Sequence, residues 1–168
     1  MSTFNLQKKE MDIAKKNFVS TGFSAFAQSL PADAMGNWGK MNAQQMVEHV
    51  TAFFKVSTGK IQFAVVTQPE HLPKYKEFLL SDKEFRENTK APAEIIGEEV
   101  LPLRNETMEA AILNLKKSIE EFFEYFASGP LQTTSHPVFG ALTFDEWVQL
   151  HYKHVLHHAK QFGFVPQT

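Results

Sequence analysis

The sequence predicts an all-α fold, a four-helix bundle with a long crossover between its second and third helices. Three observations carry that expectation. Residues 42–59, 106–127 and 143–164 repeat apolar side chains three and four apart, the spacing that lays one apolar stripe along a helix. Residues 6–29 do the same with one interruption. Residues 67–104 contain Pro69, Pro73, Pro92 and Pro102, which forbid a long uninterrupted helix and mark the crossover. No strand-like alternation stands out beyond 61–66. At 168 residues the chain is expected to be one domain over 1–168, long enough to bury a core rich in its 16 phenylalanines.

In the first helix Met11, Ala14 and Phe18 share a face. Ser20, Thr21 and Gly22 kink or break it before Phe23, Phe26 and Leu30 resume the pattern. Pro31 and Gly36 then mark a loop. The second helix has a start signal in Asn42 with Gln45 three residues on. Its stripe is Met46, His49, Val50, Phe53 and Phe54, with Glu48 and Lys55 facing elsewhere and Gly59 as a stop. Within the crossover, short helical turns are expected near 74–80 and 82–88. Connections of this length in compact domains are often functional or lid-like. The third helix carries Met108, Ala111, Ile112, Leu115, Ile119, Phe122, Phe123 and Phe126 on one side, and Ser128-Gly129-Pro130 ends it. Residues 132–141 read as a loop. In the last helix, Thr143 and Glu146 form a capping box and Gly163 suits the stop.

Composition narrows the function classes. There is no cysteine, which excludes disulfides, thiolate ligands and a thiol nucleophile carried by the chain. The formal charge of −2 comes without a basic cluster, so neither nucleic acid nor an anionic membrane is an expected partner. No apolar run is long enough to span a bilayer. The polar first residues lack a signal-peptide core, so a cytoplasmic location is expected.

Four of the seven histidines lie in the last helix, at His151, His154, His157 and His158. Trp147, His151, His154, His158, Gln161 and Phe162 fall on one stripe, with His157 at its edge. A buried imidazole needs partners for both ring nitrogens, and a metal ion is one such partner. His154 and His158, one turn apart, can address a single ion, and His49 on the second helix can close a three-histidine site across the two helices. The plainer alternative is a set of hydrogen-bonded core histidines without a metal. His151 competes with His158 as the partner of His154, or lines the mouth of the site. His157 reads as more exposed. Gln161 stands one turn below His158, placed to bond its second nitrogen and fix its tautomer. Trp38 and Trp147 read first as packing residues, His136 before Pro137 as a loop anchor, and His71 as a solvated loop residue. The chain has no His-Glu-x-x-His, Glu-x-x-His pair, P-loop, Gly-x-Gly-x-x-Gly or Gly-x-Ser-x-Gly.

These residues carry a resemblance. A histidine in the middle of the second helix, His49, followed in the last helix by His154-x-x-x-His158-x-x-Gln161, resembles the DinB-like superfamily of four-helix metal-binding proteins. More narrowly the chain resembles a DinB-related subfamily. The shared pieces are Trp38-Gly39-Lys40-Met41 with Met46 and His49, and His136-Pro137-x-Phe139-Gly140. The ending Lys153-His154-x-x-His157-His158-x-x-Gln161-Phe162-Gly163 is shared as well. The resemblance covers most of 23–164. It implies a divalent metal, zinc or nickel, on His49, His154 and His158, with solvent completing the shell. Gln161, His151, His136 and Trp38 are candidates to support the site or line its pocket. Some members are thiol-dependent S-transferases, hydrolases or isomerases, so a low-molecular-weight thiol such as bacillithiol, mycothiol or glutathione is an expected co-substrate. After His158 this chain reads Ala159-Lys160-Gln161 where many members read Arg-Gly-Gln.

The expectation is therefore a metal-dependent transferase or hydrolase acting on a small molecule, with a homodimer as the expected assembly. The alternative is a non-catalytic helical module whose metal is structural or vestigial. Metal affinity is expected to fall below about pH 6.5, where protons compete for free imidazole.

Overall fold

The computed structural model describes residues 12–92 and 100–167, and over these the chain is mostly helical. The expectations for 6–11, Met11 among them, and for 93–99 of the crossover lie outside the described residues. Residues 12–17 are helical and run into a π-helical turn, Phe18–Gly22, which continues into α1, Phe23–Gln28. The expected kink at Ser20–Gly22 is thus a widened turn in one continuous helix. Ala14 is exposed, against expectation. The extra residue of the π turn rotates the apolar face, and Val19, Phe23 and Ala27 carry the burial instead.

The second helix, α2, is Ala43–Ser57. Its capping box is present, with the Asn42 side chain accepting from Gln45 N–H and the Gln45 side chain accepting from Asn42 N–H. Loop residues 32–34 feed into it through Ala43 N–H to Ala34 O and Gln44 N–H to Ala32 O. In the crossover a 3-10 turn, Pro69–His71, leads into α3, Leu72–Leu80. The helical turn expected at 82–88 does not form, because Lys153 Nζ takes the carbonyls of Ser81 and Lys83. Residues 61–66 are no strand. Ile61 and Phe63 pack against the core, and Val66 N–H bonds Pro137 O.

The long helix α4, Met108–Ser128, starts on the Thr107 hydroxyl and lies chiefly along α2. The stretch expected as a loop before the last helix contains a small antiparallel hairpin, β1 (Thr134–His136) and β2 (Gly140–Leu142). His136 pairs with Gly140 and Thr134 with Leu142. His136, Gly140 and Leu142 face inward while Ser135 and Ala141 face out, so the period of two is there but is too short to notice.

The last helix, α5, is Phe144–Gln161, opened by the Thr143–Glu146 capping box. It closes in a Schellman motif. Phe164 N–H reaches Ala159 O and Gly163 N–H reaches Lys160 O, with Gly163 at φ 91°. Phe164 then packs on Phe18 and Phe26, which locks the first helix to the end of the last. One core joins these elements, with Trp147, Phe23, Phe54, Phe122 and Met46 fully buried. No helix among the described residues is long and apolar enough to cross a membrane.

Candidate metal centre

His49 sits in the middle of α2, and His154 and His158 one turn apart on α5. Where the two helices pack, the three rings meet edge to face, with centroids 4.7 to 5.0 Å apart. His49 Nε2 is 3.0 Å from His154 Nε2, and His158 Nε2 is 3.1 Å from it. One nitrogen from each residue lies within 4.8 Å of the other two, and no Asp or Glu among the described residues joins the group.

That geometry fits a metal donor set. Zinc–nitrogen bonds of about 2.0–2.1 Å at tetrahedral angles place neighbouring nitrogens about 3.3–3.4 Å apart, close to the observed spacing. Protons alone serve the cluster poorly. His158 Nδ1 is 2.8 Å from Gln161 Oε1, and the Gln161 amide nitrogen donates to Trp38 O at 2.7 Å. The amide oxygen therefore faces His158 as an acceptor, the His158 proton sits on Nδ1, and Nε2 presents a lone pair. His154 Nε2 has two imidazole neighbours, and one proton can bridge only one of them. Its Nδ1 is buried without a hydrogen-bond partner.

Burial is also the first cause that lowers the pKa of all three rings. His49 is brought down to about 4, with His157 and Arg104 adding repulsion. His154 and His158 are well below their ordinary value, again through burial first and neighbouring histidines second. Neutral imidazole is the form that binds a metal.

The other sequence candidates take separate places. His151 is fully buried and lies outside the three-histidine group. Ser57 Oγ donates to Phe54 O, so it accepts from His151 Nε2 at 3.0 Å, while Phe54 stacks on the ring at 3.9 Å. His136 is the loop anchor expected from its position before Pro137. Its Nδ1 accepts from both Val138 N–H and Phe139 N–H, and burial lowers its pKa to about 3. It adjoins Phe53, whose ring lies 4.3 Å from that of His154 and covers one side of the centre. His157 is half-buried between Trp38 and Phe85 rather than in the cluster. Trp38 contributes its backbone carbonyl to Gln161, and its indole Nε1 is buried unpartnered. His71 is exposed, as expected.

Three residues escaped the sequence reading. Glu48 faces away from the centre but is buried, accepting from Arg104 N–H, Asn105 N–H and the Asn105 side chain. These bonds commit the Glu48 carboxylate to the chain ahead of α4. Lys153, off the histidine stripe, is only 4% exposed, a Lys on a helix flank with nothing in its own helix to mark it. Phe53 was legible as a core residue but not as the cover over His154.

The model of a family described as "Protein of unknown function (DUF1569)" matches residues 7–164, nearly the whole chain. No curated protein and no solved structure matches it.

Proposed function

The chain belongs to the DUF1569 family, and from that premise we propose that it is a divalent-metal protein whose fold is a DinB-like four-helix bundle and whose site is open to a small molecule. The helices of that bundle are residues 12–28, α2, α4 and α5, with α3 in the crossover. His49, His154 and His158 hold the ion, zinc or nickel by the nature of three imidazole donors. The observation that carries the reading is the convergence of three Nε2 atoms, joined by no acidic group among the described residues. Structural zinc sites are usually closed by four protein ligands, whereas catalytic ones keep a position for water or substrate.

A divalent ion in this position supplies Lewis-acid chemistry, lowering the pKa of a water or a small thiol. The chain does the rest. Gln161 keeps the His158 proton on Nδ1, away from the ion. Phe53 excludes water from the His154 side. Glu48 is engaged by residues 104–105 and no carboxylate among the described residues joins the three histidines, so an anionic ligand such as a thiolate or hydroxide is favoured there. The reaction class we propose is thiol-dependent transfer to, or hydrolysis of, a small electrophile.

The test is to purify the protein, load it with zinc or nickel, and titrate bacillithiol, mycothiol or glutathione, with electrophilic probes present in a second series. Metal-dependent thiol binding that vanishes in His49→Ala supports the reading. A loaded protein that neither binds thiols nor turns over probes leaves a non-catalytic helical module with a structural ion.

A further inference from the structure

We propose that the loop over residues 35–40 is a positioning device for the metal centre, acting through Gln161 on the tautomer of His158. The proposal rests on the three-histidine reading of the site.

The loop closes on Gln161 from two sides. Asn37 N–H donates to the Gln161 backbone carbonyl at 2.8 Å. The Gln161 amide nitrogen donates to Trp38 O at 2.7 Å, and its oxygen accepts from His158 Nδ1–H at 2.8 Å. A glutamine amide is a flexible group, and it is held here because the loop backbone comes unusually near. A Cβ on Gly36 would stand 2.8 Å from Gln161 Cγ and 2.9 Å from Trp38 O. A Cβ on Gly39, whose φ is +81°, would stand 2.7 Å from Gln161 Nε2. The two glycines are thus the condition for the contact.

A methyl at Gly39 meets the movable end of Gln161, so the cheap response is to displace the amide rather than unfold the loop, whereas a methyl at Gly36 presses on the Gln161 stem and on Trp38 O, the carbonyl that holds the amide. Displacement leaves the buried His158 Nδ1–H without its acceptor. The alternative tautomer carries the proton on Nε2, where it occupies the lone pair that faces the other two histidines. Partners that orient a ligating histidine in this way typically change metal affinity by about 10–100-fold when removed. Trp38 and the glycines are therefore positioning residues, remote from the ion and acting on it through one amide.

Two measurements test this. In metal-free protein at pH 8, long-range proton–nitrogen correlation spectra should show His158 protonated at Nδ1. In Gly39→Ala the signal should move toward the Nε2–H form. In the second, zinc affinity is read by competition with a chromophoric chelator. Gly39→Ala should lose about 10–100-fold, and Gly36→Ala, which carries no positive φ, should lose in the same direction. Gly59→Ala is the control for backbone strain, since φ there is +73° but the nearest atom to an added Cβ is Gln62 Nε2 at 3.9 Å. It should bind zinc like the wild type. The double variant Gly39→Ala/Gln161→Ala should be no weaker than Gln161→Ala alone. Additive losses, an equal loss in Gly59→Ala, or an Nε2–H tautomer in the wild type would each overturn the proposal. Absence of zinc binding in a wild type that keeps the Nδ1–H tautomer removes the reading of the site instead. Zinc binding unaffected by Gly39→Ala removes the loop proposal alone.

Discussion

At the scale of the residue, the histidines at and around the centre have been given different tasks by their second partners. His158 has Gln161, His151 has Ser57, and His136 has two backbone amides, so each has a fixed tautomer. His154 alone meets two imidazole nitrogens while its own Nδ1 has no partner, which makes it the pivot of the cluster. His157, one residue from His158, packs against Trp38 and Phe85 instead. We therefore expect His154→Ala to lose stoichiometric zinc as measured by elemental analysis, and His157→Ala to keep it. Equal loss in the two variants would contradict the assignment. Helical spacing made the His154/His158 pair legible in the sequence. It left His151 open as a rival ligand, because what excludes it is Ser57 on a different helix, far away along the chain.

Among the elements, α2, α4 and α5 were readable because each has a long apolar stripe, and α2 and α5 because each opens on a capping box. The hairpin of β1 and β2 was not, since three residues per strand are too few to display a period. The run 82–88 was misread as helical for a related reason. Its conformation is set by Lys153 on α5, whose ammonium caps the C-terminal end of α3 through Ser81 O, engages Lys83 O, and lies over Phe78 at 4.9 Å. A cation at a helix C-terminus is favourable, and bonds to a charged donor are the stronger kind. Burial is the first cause lowering the Lys153 pKa, with Lys15 adding to it. Lys153→Met keeps the bulk of the side chain but takes the charged donor from both carbonyls, leaving Ser81 O with Gln149 Nε2 alone and Lys83 O without its partner. It should destabilise the protein by about 1–3 kcal/mol and speed amide hydrogen exchange across 81–89 more than across α4. Uniform exchange along the chain would show that Lys153 is not the anchor of this segment.

For the whole molecule, buried histidines couple the fold to pH. Burial pushes His136 down to about 3 and His151 well below its ordinary value, whereas in the unfolded chain each returns to about 6.5. Between those limits the unfolded state binds more protons, so stability rises with pH across that window and is fully present above about 6.5. As pH falls from 6.5, each group should remove up to about 1.4 kcal/mol per unit. In the metal-free protein His49, His154 and His158 are lowered by burial as well and pull the same way, so its urea midpoint should hold level from pH 8 to 7 and drop between 6.5 and 5. A level midpoint through pH 5 would mean these rings are not held neutral by the fold. How the helices assemble was partly legible, since two half-apolar helices bearing histidines must bring their stripes together. The loop over 35–40 and the capture of Glu48 by residues 104–105 were not, because both are made largely through backbone N–H and C=O groups, which leave no pattern in the sequence.

The central claim is a three-histidine ion with one position left to an outside ligand. X-ray absorption on the zinc-loaded protein, before and after adding glutathione, tests it most directly. The account predicts about one zinc per chain with three imidazole nitrogens at about 2.0–2.1 Å and one further light atom, the latter replaced by sulfur at about 2.3 Å when the thiol is added. A zinc held by four protein ligands and indifferent to thiol, or a protein that retains no zinc, would contradict it.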